Sequence, residues 1–102
     1  MLVQLTMFPS VRKSESVSSE VAKVINIIDR SGLPYKVGPM STTIEGSWER
    51  VMETINKARK MLRKNHSRVY ISITIDDRKD ARGRIEGKVE SIQRKLGRKV
   101  RT

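Results

Sequence analysis

"YKVGPMSTTIEG", residues 35–46, is the stretch that decides how this chain is read. Gly38 and Pro39 interrupt it, and neither belongs inside a paired strand. The segment therefore reads as two short strands, the second running from about Met40 to Glu45. Strand residues alternate between faces. With Ile44 turned to a core, Ser41, Thr43 and Glu45 share the opposite face, which is polar and ends in a single carboxylate.

Upstream, "LVQLTMF" sets Val3, Leu5 and Met7 on one side of a strand and Gln4 and Thr6 on the other, and Pro9 closes it. A polar loop, "SVRKSES", leads to Ser16, which can cap a helix carrying Val17, Val21, Val24, Ile25 and Ile28 on one face. Gly32, Leu33 and Pro34 end that helix. Downstream, Ser47 is a candidate cap for a second helix, with Glu49 in its first turn and an apolar stripe of Trp48, Val51, Met52, Ile55 and Leu62. Trp48 is expected in the core. "RVYISITIDD" is the clearest strand, with Val69, Ile71, Ile73 and Ile75 alternating against Tyr70, Ser72 and Thr74. Ile85, Val89, Ile92 and Leu96 mark a narrower stripe on a third helix, weakened early by Gly87.

The order is β-α-β-β-α-β plus a helix. This predicts an α+β chain of ferredoxin-like type, an antiparallel sheet with an additional C-terminal helix. The whole chain, 1–102, is expected to be one domain, with the last helix over about 81–97 and a basic tail at 98–102. Both crossover helices then cover one sheet face. The other needs a lid, a partner subunit or a ligand, and it collects Gln4, Thr6, Ser41, Thr43, Glu45, Tyr70, Ser72 and Thr74. Such a hydroxyl-rich surface suits a small polar ligand, or a wet interface between sheets.

A net charge of +11 invites a nucleic-acid reading. Most of the excess lies in residues 78–102, where ten Lys or Arg face three acids. RNA-binding modules of this element order stack bases on aromatic residues of the central strands. Those strands carry Phe8 only at an end, and Glu45 would repel phosphate, so nucleic acid is not the expected partner. The alternative left open is non-specific attraction through the C-terminal segment. The acids of "DDRKD", Asp76, Asp77 and Asp80, read as a turn with helix-capping aspartates rather than a magnesium site, given the interleaved Arg78 and Lys79. His66 is the only histidine and there is no cysteine, so no metal cluster, triad or disulfide is expected. No enzyme is expected either. The amino terminus alternates like a strand instead of forming a signal peptide, and no run reaches the roughly 18 apolar residues of a membrane span. A soluble, cytoplasmic protein is the expectation.

The segments "YKVGPMSTTIEG", "RVYISITIDDRKD" and "GKVESIQRKL" together resemble the family of small thiamine-binding-like proteins of ferredoxin-like fold. The resemblance covers nearly the whole chain. It implies a homotetramer built as a dimer of dimers, in which sheets of different subunits meet and the terminal helix packs across a subunit boundary. It also implies that thiamine or a hydroxymethylpyrimidine-like ligand sits near the open sheet face and the interface, with no cofactor required. Carried onto "STTIEG", it points to Ser41, Thr43 and Glu45 as ligand-binding residues. Thr6 and Tyr70 join them from the face assignment alone. A glutamate there would favour the cationic thiazolium on a chain that otherwise attracts anions. The other reading of Glu45, and the commoner use of a carboxylate at a strand end, is to help cap the following helix or pair with a neighbouring Arg. A structural oligomer without ligand remains the other alternative.

Overall fold

The computed structural model describes residues 1–11 and 16–102, so the expected loop before the first helix falls partly outside the described residues. Seven elements follow in order: β1 (Leu2–Pro9), α1 (Val17–Arg30), β2 (Tyr35–Val37), β3 (Thr42–Glu45), α2 (Trp48–Arg63), β4 (Val69–Asp76) and α3 (Arg84–Leu96). The four strands form one antiparallel sheet in the order β2-β3-β1-β4. This is the ferredoxin-like arrangement with a C-terminal helix.

Register confirms the faces read from alternation. Val3 pairs with Ile44 and Ile75, and Gln4 with Thr43 and Thr74, so apolar side chains line up on one side and polar ones on the other. Val3, Leu5 and Met7 of β1 and Ile44 of β3 pack against Val24 and Ile28 of α1 and Val51, Ile55, Ala58 and Leu62 of α2. Apart from the small Ala58, each such buried side chain contributes about 1.5–3 kcal/mol. Leu33, just after α1, completes the core.

Ends of elements follow local chemistry. Gly32 takes a left-handed φ of 78° past α1, a conformation that favours glycine. The Ser47 hydroxyl accepts the Arg50 amide at 3.3 Å and caps α2 as expected. Ser16 holds the corresponding place before α1 but does not cap; its hydroxyl bonds that of Ser18 instead. The second hairpin strand begins at Thr42 rather than Met40, because Gly38 donates to the Ser41 carbonyl and residues 38–41 are spent on the turn. Trp48 is 53% exposed, not core. It stands at the very start of α2, ahead of the buried residues, of which Val51 is the first.

α3 starts at Arg84, later than the expected 81, because Gly83 with φ 62° turns the chain into the helix. Its opening turns lie over one end of the open sheet face. Glu86 reaches Lys36 of β2 at 3.2 Å, and Arg84 and Lys88 both reach Asp76 of β4. Ile85 and Val89 are half-buried there, whereas Ile92 and Leu96 remain 54% and 51% exposed. The molecule measures 47 × 29 × 20 Å with a radius of gyration of 15.3 Å, against about 13 Å for a compact domain of this length. The chain is thus drawn out rather than rounded.

Candidate functional site

Thr6 and Ser41 meet where the sheet parts. The β1–β3 ladder runs only over Leu2–Leu5, so the rest of β1 leaves the hairpin turn standing beside it. Side chains bridge the gap: Gln4 donates to the Ser41 hydroxyl at 2.9 Å, and the Thr6 hydroxyl donates to the Met40 carbonyl at 3.1 Å. A cavity of about 330 Å³ lies between β1, the hairpin turn and α1, lined by Thr6, Phe8, Met40 and Ser41 together with the helix-facing Leu5, Met7, Val24 and Ile28. That volume lies within the range of small-molecule sites.

Tyr70 is the direct cross-strand partner of Phe8, and their rings stack with centroids 5.0 Å apart and planes 25° from parallel. The pair forms an exposed aromatic platform beside Thr6 and Ser72. Sequence reasoning named both residues but did not join them. The signal was available only through register, since Phe8 and Tyr70 stand 62 positions apart in the chain.

Thr43 faces the open side farther along, in a shallow depression of about 250 Å³ with Gln4, Thr74 and Asp76. Glu45 lies beyond it. Glu45 is four residue steps along the chain from Ser41, roughly 13 Å if extended. The five expected site residues therefore share one face but not one concavity.

Glu45 is 8% exposed, and its carboxylate is engaged. Both oxygens accept the Arg84 amide, at 2.9 and 3.1 Å, and one also accepts the Ile85 amide at 3.4 Å. It caps α3, the work expected of the "DDRKD" aspartates. Of those, Asp76 pairs with side chains of α3 instead, and the Arg84 guanidinium, followed by the Lys88 ammonium, holds its carboxyl below the usual carboxylate range. A carboxylate offers about four lone-pair positions, so Glu45 keeps some capacity toward a cavity of about 500 Å³ lined also by Met1, Leu33, Arg50 and Arg82.

The glycine that follows is explained by packing. A Cβ on Gly46 would stand 2.8 Å from Leu33 Cδ2 and 3.2 Å from Val51 Cγ2. Its backbone also closes onto the first residue, its amide donating to the Met1 carbonyl at 3.0 Å and its carbonyl accepting the Met1 ammonium at 2.6 Å.

His66 is not near the sheet face. Its Nε2 lies 3.1 Å from Glu20 of α1, which also accepts from Lys23 at 2.9 Å. The Lys23 bond, then that of His66, lowers the Glu20 pKa against the effect of burial. Among the described residues no three His, Asp or Glu side chains come together as a metal-ligand set, and no helix is long and apolar enough to cross a membrane.

A four-stranded antiparallel sheet with two helices on one face, a polar opposite face and a third helix over its end defines a ferredoxin-like α+β protein with a half-covered sheet. The chain belongs to the thiamine-binding protein family, whose model matches residues 3–93. It is 33% identical to a UPF0045 protein of Methanothermobacter thermautotrophicus over 95 residues, covering 91% of this chain and 96% of that one. With the UPF0045 protein YqgV of Bacillus subtilis it shares 32% over 102 residues, 93% and 96% of the two chains. Among solved structures it is similar to MJ1052 of Methanocaldococcus jannaschii, with TM-score 0.80, 27% identity and coverage of 89% and 93%. A proposed thiamine biosynthesis/salvage protein of Thermotoga maritima, TM0486, aligns with TM-score 0.78 at 26% identity, covering 89% and 96%.

Proposed function

We propose that this protein is a non-catalytic, cytoplasmic small-molecule-binding protein that takes thiamine or a hydroxymethylpyrimidine-like ligand on the open sheet face, near a subunit interface of a homotetramer. Family membership over residues 3–93 is the observation that carries the reading. The geometry supports it. An aminopyrimidine has a flat ring and hydrogen-bonding edges, and the Phe8–Tyr70 stack beside the hydroxyls of Thr6 and Ser41 offers a surface for each.

In this reading Thr6, Ser41 and Tyr70 hold the ring, and Thr43 continues the hydroxyl row. Glu45 supplies the negative charge through the one lone-pair position not taken by α3. The half-exposed Ile92 and Leu96 support the oligomer, since an apolar stripe projecting beyond its own sheet is suited to a neighbouring subunit.

Calorimetry with thiamine and with hydroxymethylpyrimidine tests the reading on wild type, Ser41→Ala, Tyr70→Ala and Thr43→Val. Removing a neutral hydrogen-bonding or stacking group is expected to weaken binding about tenfold. Undiminished binding in all three variants would reject the assigned surface, and no heat from either compound with wild type would reject the ligand.

A further inference from the structure

The loop after β4 and the opening turns of α3 flank an open, polar cavity of about 450 Å³ that shares no residue with the five-residue sheet-face surface. Arg78, Lys79, Arg82, Arg84 and Lys88 line it, with Asp80 as the one carboxylate. The charged ends of Arg84 and Lys88 are held by Asp76, which is not one of the lining residues. Among the described residues, Arg78, Lys79 and Arg82 pair with no carboxylate, so the cavity carries a surplus of positive charge. The amides of Arg84 and Ile85 are already taken by Glu45. Any anion there must be held by side chains.

Gly87 adds an independent observation. It sits within α3, where glycine is the least favourable residue after proline. A Cβ at this position would meet nothing within 4 Å, so packing inside this chain gives no reason for its absence. Its bare backbone forms part of the cavity wall. A side chain would narrow the space between Arg84 and Ser91.

We propose that this cavity binds the phosphate or diphosphate group of a small molecule. Arginine presents paired N–H donors that match phosphate oxygens, and lysine adds a mobile point charge. The unpaired Arg78, Lys79 and Arg82, beside an Arg84 and a Lys88 already held on Asp76, suit a compact, multiply charged group. A nucleic-acid strand calls instead for a long basic groove that follows its backbone.

Titration of the full chain with inorganic diphosphate at physiological ionic strength tests this. Saturable binding with one site per chain is expected. Arg82→Ala and Lys79→Ala should each weaken it about tenfold, and Gly87→Glu should abolish it, with circular dichroism checking that each variant folds. Gly87→Ala provides the sharpest readout, because it should stabilise the helix while weakening diphosphate binding. No saturable binding would overturn the proposal. So would unchanged affinity in these variants, a Gly87→Ala change that alters native mass but not diphosphate affinity, or tighter binding of an RNA oligonucleotide dependent on Arg94, Arg98 and Arg101.

Discussion

The carboxylate of Glu45 receives the backbone amide of Arg84 through both of its oxygens, across 39 positions of sequence. The last residue of β3 is thereby one tether of α3, beside the ion pairs of Asp76 and Lys36. Glu45→Ala would leave the Arg84 and Ile85 donors unpaired at a site with little water. A loss of about 1–3 kcal/mol in the docking of α3 is expected. It should appear as faster hydrogen exchange at Arg84 and Ile85, with the amides of β1 unchanged. Glu45→Gln keeps an acceptor oxygen and should lose less; equal exchange in all three proteins would refute the tether.

Gly46→Ala should destabilise the whole domain. The added methyl presses on Leu33 and Val51, both buried in the core with little room to move. Overpacking of this kind costs about 1–3 kcal/mol. Urea unfolding would measure it, and a shift of midpoint below 0.5 kcal/mol equivalent would mean that Leu33 swings aside freely.

Acid should loosen α3 early. The folded-state pKa of Asp76 is depressed by Arg84 and then Lys88. Its stabilising contribution is therefore present above the ordinary aspartate value of about 3.9 and is lost as pH falls through the lower folded value. Backbone NMR of α3 below about pH 4 is expected to show looser docking at Arg84 and Lys88, a small effect because Asp76 is half-exposed. Asp76→Asn should make the protein insensitive in this step, because the titrating group is gone.

Ile28→Ala removes a fully buried side chain and should cost about 2–5 kcal/mol in any assembly state. Leu96→Glu changes a half-exposed residue, so a lone chain should tolerate it within about 0.5 kcal/mol. If the proposed tetramer uses the α3 stripe, Leu96→Glu with Ile92→Glu should lower the native mass. An unchanged tetramer would remove α3 from the interface, and a monomeric wild type would reject the tetramer itself.

Much of the fold was legible along the chain. Val3, Leu5, Met7 and Ile44 were placed toward the helices, and Gln4, Thr43, Tyr70 and Thr74 away from them, by alternation alone. Ser47 and Gly32 marked helix boundaries because a cap acts within three or four residues. Trp48 misled, since the apolar stripe of α2 gives its direction but not where the sheet beneath it stops. The Phe8–Tyr70 platform escaped notice for a related reason: pairing register, not composition, puts two rings opposite each other.

The amino-acid sequence by itself determined the element order, the two faces of β1, β3 and β4 and hence the half-covered antiparallel sheet, because strand and helix periods are local properties. Only the tertiary structure decided what Glu45 does. The same polar-face position that makes it available to a ligand brings it, once α2 and β4 have closed the sheet, beneath the unpaired amides of α3. A carboxylate near open N–H groups binds whichever donors the fold delivers, and those donors were 39 residues away.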